Sequence, residues 1–244
     1  MNKWLPPQAS AHAGQIDFVL TLVHVLMAVL FVGWAAYFVW ALVRFRRRRQ
    51  PHADHHGARG RVAFWIEVGV VVAESALLVG IALPLWWQRT AAQPTAPDAL
   101  VVRVVAEQFV WNVHYAGADG QFGETSLSRI GPANPLGLDR TSPAGRDDVV
   151  VLNQLHLPLG RPVLVQLSSK DVIHSFGVPA MRVKQDAIPG LVAPVWFTPT
   201  LEGHFDIACS QLCGLAHYRM RGIVTVESAQ AFARFLSDEL AASR

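Results

Sequence analysis

Twelve consecutive residues hold both cysteines of the chain: Cys209-Ser210-Gln211-Leu212-Cys213-Gly214-Leu215-Ala216-His217-Tyr218-Arg219-Met220. The string offers two thiols, an imidazole and a thioether at short spacing. Soft sulfur ligands together with imidazole select copper over hard cations such as magnesium. A single type-1 copper uses one Cys, two His and a distant Met, which leaves one cysteine over. Two thiolates can instead bridge two copper ions with one terminal imidazole on each, and that arrangement needs a second histidine from elsewhere. Two simpler readings compete. A cysteine pair in an oxidising compartment usually forms a disulfide. Zinc accepts two Cys and two His, although it leaves Met220 without a part and the usual paired spacing is missing.

His114, His156, His174 and His204 are the other histidines of the same region. Spacing does not choose among them, and a single strand histidine is more often a packing or surface residue than a ligand. The elements that must position them read as strands. Leu100 to Val105, Asp148 to Leu152, Pro162 to Leu167, Val192 to Phe197 and Ile223 to Val226 are short apolar runs bounded by Pro and Gly, as in a sandwich or barrel. Asp119-Gly120 between Tyr115 and Phe122 predicts a hairpin turn. Gly123 to Asp147 has no period and reads as a long surface loop folded over the domain. Glu227-Ser228 starts a helix on which Phe232, Phe235, Leu236 and Leu240 recur at helical spacing.

Ahead of this region the composition changes. Only 16% of the 244 residues are charged, against roughly 25% in an ordinary soluble domain. The deficit lies in two apolar runs, Ile16 to Val43 and Val62 to Trp87, each longer than the about 20 residues that span a bilayer. Arg44 to Arg61 between them holds seven arginines and one acid, whereas residues 88 to 244 hold 13 basic and 14 acidic side chains. A pI near 9.2 therefore comes from one loop and does not indicate nucleic-acid binding. The positive-inside rule places the arginines on the cytoplasmic side, and with them both chain ends on the periplasmic side of a bacterial plasma membrane. A cleaved signal is disfavoured, since the basic residues follow the first run and that run exceeds a signal's apolar core. The expected organisation is a short outer segment (1–15), a first span (16–43), a basic cytoplasmic loop (44–61), a second span (62–87), and an outer domain (88–244) joined through a linker from Thr90 to Asp98.

Asp171-Val172-Ile173-His174-Ser175-Phe176, the run Lys184-Gln185-Asp186-Ala187-Ile188-Pro189-Gly190 and the Cys-to-Met string resemble subunit II of cytochrome c oxidase, which carries the dinuclear copper A centre. The resemblance covers nearly the whole chain. It implies a membrane-anchored α+β protein, a two-helix transmembrane hairpin followed by a cupredoxin-like Greek-key β-sandwich. It also implies two copper ions bridged by Cys209 and Cys213, with His174 and His217 as imidazole ligands and the Met220 sulfur and Gln211 carbonyl as weak ligands. The family usually has Glu where this chain has Gln211. That Glu side chain also binds magnesium or manganese shared with subunit I, for which a neutral amide is a poorer ligand.

Gln108-Phe109-Val110-Trp111-Asn112 resembles the family's Gln-Trp-Tyr-Trp stretch, whose first Trp receives electrons. Phe109 stands there instead, so either entry runs through another residue such as Trp111 or Tyr218, or the donor is not the usual soluble cytochrome; packing is the common role of a single Trp. The near-neutral outer domain offers no strong acidic field to steer a basic cytochrome. Glu67 and Glu74 share a face of the second span, and ionisable groups inside membranes often belong to proton paths. Glu67 resembles in position the family's glutamate at the mouth of a proton channel; a structural carboxyl is the alternative. His52, His55 and His56 beside the arginines read as a solvated loop rather than a metal tract.

The implied activity is that of an oxidoreductase subunit. It accepts electrons from cytochrome c or another c-type cytochrome and passes them to haem in subunit I, where oxygen is reduced to water with proton pumping. No oxygen site is expected in this chain. A copper-containing nitric oxide reductase subunit and a membrane-anchored copper carrier are the alternatives. A quinol oxidase branch would lack the copper ligands, and a fused cytochrome would need a Cys-x2-Cys-His motif.

Overall fold

The two apolar runs form long helices in the computed structural model, which describes residues 4–52, 60–91, 93–94 and 98–243. Helix α1 spans Ala13–Arg44 and helix α2 spans Arg61–Ala91. Both are long and apolar enough to cross a bilayer. Each overruns its apolar run at both ends, because helical hydrogen bonding continues until a breaker or a cap intervenes rather than where hydropathy falls. Helix α2 contains a π-helical turn, Leu78–Ala82, after which the Leu83 N–H reaches the Leu78 carbonyl. Side chains such as Phe31, Trp34, Trp65 and Val72 are exposed in the chain alone. A helix that is apolar all round is one made for lipid or for neighbouring helices.

The second unit joins the segment through Gly14 with everything from Gln93 onward. Its described residues form ten strands: β1 Leu100–Glu107, β2 Val110–Tyr115, β3 Val149–Leu152, β4 Gln154–Pro158, β5 Val163–Ser169, β6 His174–Val178, β7 Val183–Ala187, β8 Ala193–Phe197, β9 Gly203–Cys209 and β10 Arg221–Glu227. They form two five-stranded sheets, ordered β3-β2-β1-β5-β8 and β4-β10-β9-β6-β7. Val102, Val104, Ala106, Val163, Val165 and Leu167 point inward from the first sheet, and Leu155, Leu157, Phe176, Ile207, Val224 and Val226 from the second. This alternation seals one core between two sheets. Helix α3 (Ala229–Ala242) is capped by Ser228, whose hydroxyl accepts from the Ala231 N–H, and packs Phe232 into the core.

The N-terminal segment is part of this unit. The Ala9 N–H donates to the Ala180 carbonyl (2.9 Å), the Ala11 N–H to Thr198 (3.0 Å), and the Thr200 N–H to Ala9 (2.9 Å). The Arg182 guanidinium donates to the Pro6 carbonyl at 2.8 Å.

Several expectations change. Asp119-Gly120 does turn, with Gly120 at φ +69°, but makes no hairpin: β2 pairs with β3, more than thirty residues on, while Phe122 packs edge-on against His114. Strands β4, β6, β7 and β9 went unread. Strand β6 is buried at every residue, so it shows no alternation, and β9 mixes His, Asp and Gly with apolar residues. Thr90 and Ala91 of the expected linker belong to helix α2. Pro97 lies outside the described residues, as do His55 and His56 of the basic loop.

Candidate metal centre

The Cys-to-Met string connects β9 to β10. The two strands pair antiparallel, Ala208 opposite Arg221, and the Cys209 N–H closes the loop's base on the Met220 carbonyl at 3.2 Å. Inside it, successive turns fold the chain back: the His217 N–H donates to Gly214 (3.1 Å), Arg219 to Ala216 (2.9 Å) and Met220 to His217 (3.1 Å). The Ser210 N–H donates to the Ser175 carbonyl at 3.0 Å, and Cys209 lies opposite Phe176. These pairings set the loop beside the first residue of β6, which is His174.

The six residues expected as ligands meet there. The cysteine Sγ atoms are 3.7 Å apart, far beyond a disulfide bond of about 2.0 Å, and both thiols are free. His174 Nδ1 lies 3.1 Å from the Met220 sulfur and 4.0 Å from Cys209 Sγ. His217 Nδ1 lies 3.5 Å from Cys213 Sγ, and the Gln211 carbonyl 3.2 Å from Cys209 Sγ. Cys213 and the Met220 sulfur are 3.8 Å apart. One donor atom each from His174, Cys209 and Cys213 falls within 4.8 Å of the others. His174, Cys213 and Met220 are buried, Cys209 and His217 half-buried, and Gln211 exposed. A carbonyl reaches the cluster without its side chain, so exposure of Gln211 fits a main-chain role.

The site's electrostatics favour a bound cation. Burial, then the hydrogen bond and charge of Cys209, push the Cys213 thiol up to about 11, so two thiolates this close need a positive charge between them. His174 Nε2 donates to Asp171 Oδ1 at 2.9 Å, which leaves the Nδ1 lone pair facing the sulfurs. A carboxylate on the far ring nitrogen is the usual way a ligand histidine is oriented. Burial alone would raise the Asp171 carboxyl, but hydrogen bonds from His174, the Gln108 N–H and the Val172 N–H outweigh it and hold it below the ordinary carboxylate value. Two free thiols, two imidazoles, a thioether and a carbonyl form a donor set that suits copper.

The remaining histidines are otherwise engaged. His114 pairs with the buried Asp148 at 2.6 Å, His156 with Glu227 at 2.9 Å while stacked on Phe235, and His204 with Thr225 Oγ1 at 3.1 Å. Trp111 is wholly buried, edge-on to His174 with ring centroids 6.2 Å apart. Phe109 is half-buried and Tyr218 is 83% exposed. Glu67 and Glu74 are exposed on helix α2 in the chain alone. Asp171 and Gln108 stand in the motifs quoted above, but the sequence assigns neither a role. The three-residue step from Asp171 to His174 was a readable signal; the fold-made contacts of Gln108 were not.

A β-sandwich that gathers soft donors in the loop between its β9 and β10 strands, in a chain with two membrane-length helices, defines a membrane-anchored cupredoxin-like protein with a candidate copper site. The family model for the cytochrome c oxidase subunit II periplasmic domain matches residues 100–228. An alternative cytochrome c oxidase subunit 2 from Bradyrhizobium diazoefficiens is 35% identical, over 97% of this chain and 84% of its own length. A cytochrome c oxidase subunit 2 from Cereibacter sphaeroides is 32% identical over 94% of this chain and 78% of its own. The crystal structure of the periplasmic domain of subunit II from Bradyrhizobium japonicum is similar at 28% identity and a TM-score of 0.46, over 63% of this chain and all of that one (100%). The chain belongs to the cytochrome c oxidase subunit II family, whose members are subunits of haem-copper terminal oxidases.

Proposed function

We propose that this chain is the electron-accepting subunit of a respiratory haem-copper oxidase, holding two copper ions on Cys209, Cys213, His174, His217, Met220 and the Gln211 carbonyl. The convergence of these six donors around two free thiols carries the reading. Two copper ions held there would supply a one-electron carrier. The residues of the chain do the rest. The cysteines would offset part of the ions' charge with their thiolates. The Asp171 carboxylate keeps the His174 ring turned with Nδ1 toward them. The turns from Gly214 to Met220 fix the other ligands before any metal arrives, so little rearranges when an electron comes or goes. Trp111, packed on His174, lies on an interior route from the surface at Phe109, and Tyr218 offers another. The donor is a c-type cytochrome and the acceptor a haem in the partner subunit.

The topology belongs to the same proposal. Residues ahead of α1 are hydrogen-bonded to the outer domain and an arginine-rich loop separates the two helices. Two spans, with both ends and the copper domain on the periplasmic side, follow. Glu67 near the arginine-rich side is assigned to proton uptake: Glu67→Gln in the assembled oxidase lowers turnover and leaves copper reduction unchanged. The copper reading is tested by loading the full chain in detergent under reducing conditions, then oxidising it partly. Two copper ions per chain and a mixed-valence electron paramagnetic resonance signal are expected; one ion per chain, or a Cys209–Cys213 disulfide after loading, overturns it.

A further inference from the structure

Gln108 closes the turn between β1 and β2 and touches the metal loop and the histidine ligand's support at once. Its side-chain Nε2 donates to the Cys213 carbonyl at 2.6 Å. Its backbone N–H donates to Asp171 Oδ2 at 2.7 Å, and Asp171 Oδ1 accepts from His174 Nε2 at 2.9 Å. The Val172 N–H at 2.7 Å also fixes that carboxylate. Thus one residue bonds directly to a cysteine of the cluster and, through one carboxylate, to the histidine across from it. The cysteine is 105 positions away in sequence and Asp171 63.

The approach is close because of Gly214. This glycine follows Cys213 with φ +136°, and a Cβ on it would stand 2.6 Å from Gln108 Nε2 and 3.1 Å from the Phe109 ring. A side chain there would push the amide off the Cys213 carbonyl and strain the backbone as well.

We propose that Gln108 is a positioning residue for the metal centre, its amide fixing the Cys213 peptide against the Asp171–His174 pair so that the thiolate and imidazole keep their separation. The inference rests on the copper reading above. The amide is a neutral donor: it holds the loop without adding charge, and the positive end of its N–H dipole near the cysteine favours the reduced, more electron-rich centre. Removing the donor should therefore loosen the copper and lower its reduction potential. A carboxylate in its place should lower the potential further.

The test uses the full chain in detergent, copper-loaded, as wild type, Gln108→Ala and Gln108→Glu. The Glu variant keeps the shape and loses the donor; the Ala variant serves should Glu prevent folding. Both are expected to bind two copper ions per chain, with an altered mixed-valence resonance pattern. Copper should pass to a chelator about tenfold faster, the lower end of what losing an outer support of a ligand costs. The midpoint potential should fall in the order wild type, Ala, Glu. A residue that merely packs would not order the last two in that way. If both variants keep the wild-type spectrum, potential and release rate, the inference fails while the copper reading stands. If the wild type itself does not take up two ions, the copper reading fails and this inference with it.

Discussion

Two loops of the outer domain enclose buried polar groups, and they do so in opposite ways. In the long segment between β2 and β3, Asp148 accepts from His114 at 2.6 Å, from the Gly117 N–H at 3.2 Å and from the Gly123 N–H at 2.8 Å. His114 and Asp148 are almost fully buried, at 1% and 0% exposure. The buried imidazole and both main-chain donors share one carboxylate, which closes this pocket. Where the β9–β10 loop meets His174 of β6, the facing atoms are sulfurs and imidazole nitrogens separated by 3.1 to 4.0 Å. Sulfur and imidazole satisfy each other poorly by hydrogen bonding, so lone pairs converge around S–H groups that are only weak donors. Burial does not separate these two histidines, since His114 and His174 are equally buried and each has a carboxylate on Nε2; the soft sulfur facing His174 Nδ1 does.

The sharpest break of this contrast is Cys213→Ser in the metal loop. A hydroxyl is a far harder and less acidic group than a thiol and a poor substitute for a bridging thiolate, so the two-copper signal should vanish, with at most one ion per chain by elemental analysis. The same chain should keep its β-sandwich circular dichroism, because the loop's turns are made by main-chain groups. Retention of the mixed-valence signal would show that Cys213 is not a bridge.

Asp148→Ala is the counterpart in the long loop. It strands a buried imidazole and two main-chain donors, which should cost about 3 kcal/mol of stability, within the range for breaking a buried pair. Thermal unfolding of the apo chain should shift down clearly while copper stoichiometry and spectrum, measured below the transition, stay as in the wild type. A changed copper spectrum would mean that the two loops are coupled and that the contrast between them is not a division of labour.

What could be read beforehand follows the same line. The strands of the first sheet announce themselves by apolar runs, and both ends of the ligand string by residue type. His174 could not be picked from four histidines by spacing, because its distinction is made by β6 lying beside β9 in space. The resemblance chose it, and the fold sets its Nδ1 beside the Met220 and Cys209 sulfurs. Gln108 is invisible to spacing, since both of its contacts cross more than sixty residues. The N-terminal strap is likewise a matter of tertiary pairing, and nothing in Pro6, Pro7 or Ala9 advertises it.

Acidity offers a smaller, graded separation. With its thiol raised to about 11 in the metal-free fold, Cys213 favours the folded state in its protonated form. That contribution is complete below the ordinary thiol value near 9 and disappears as pH climbs toward 11. Asp171 runs the other way: its carboxyl is lowered by folding, so its contribution is present above the ordinary carboxylate value and is lost as the solution is acidified below it. Unfolding of the apo chain across pH should therefore show an alkaline decline that Cys213→Ser removes. Copper reverses the first sign. Ligand thiols must shed their protons, so loading should release protons and weaken with falling pH, measurable by titration in a weakly buffered solution. Loading that is independent of pH would argue against thiolate ligands.

The smallest expected effect comes from Gln211, where the resemblance leads to an expected Glu. Gln211 points its carbonyl at Cys209, 3.2 Å away, while its residue surface is exposed. If the carbonyl alone serves the copper centre, Gln211→Ala removes nothing that the ions feel beyond a remote amide dipole. Copper content and the resonance pattern should match the wild type, and stability should change by no more than about 0.5 kcal/mol, as for most surface substitutions. Gln211→Glu keeps the same carbonyl and adds a carboxylate, a hard oxygen ligand suited to magnesium or manganese. In the assembled oxidase, manganese content should rise in that variant alone, with copper unchanged in both. Copper loss in Gln211→Ala comparable to that in Cys213→Ser would place the side chain, rather than the main chain, among the ligands, and would make the metal loop depend on residue identity at a position where its geometry indicates dependence only on the backbone.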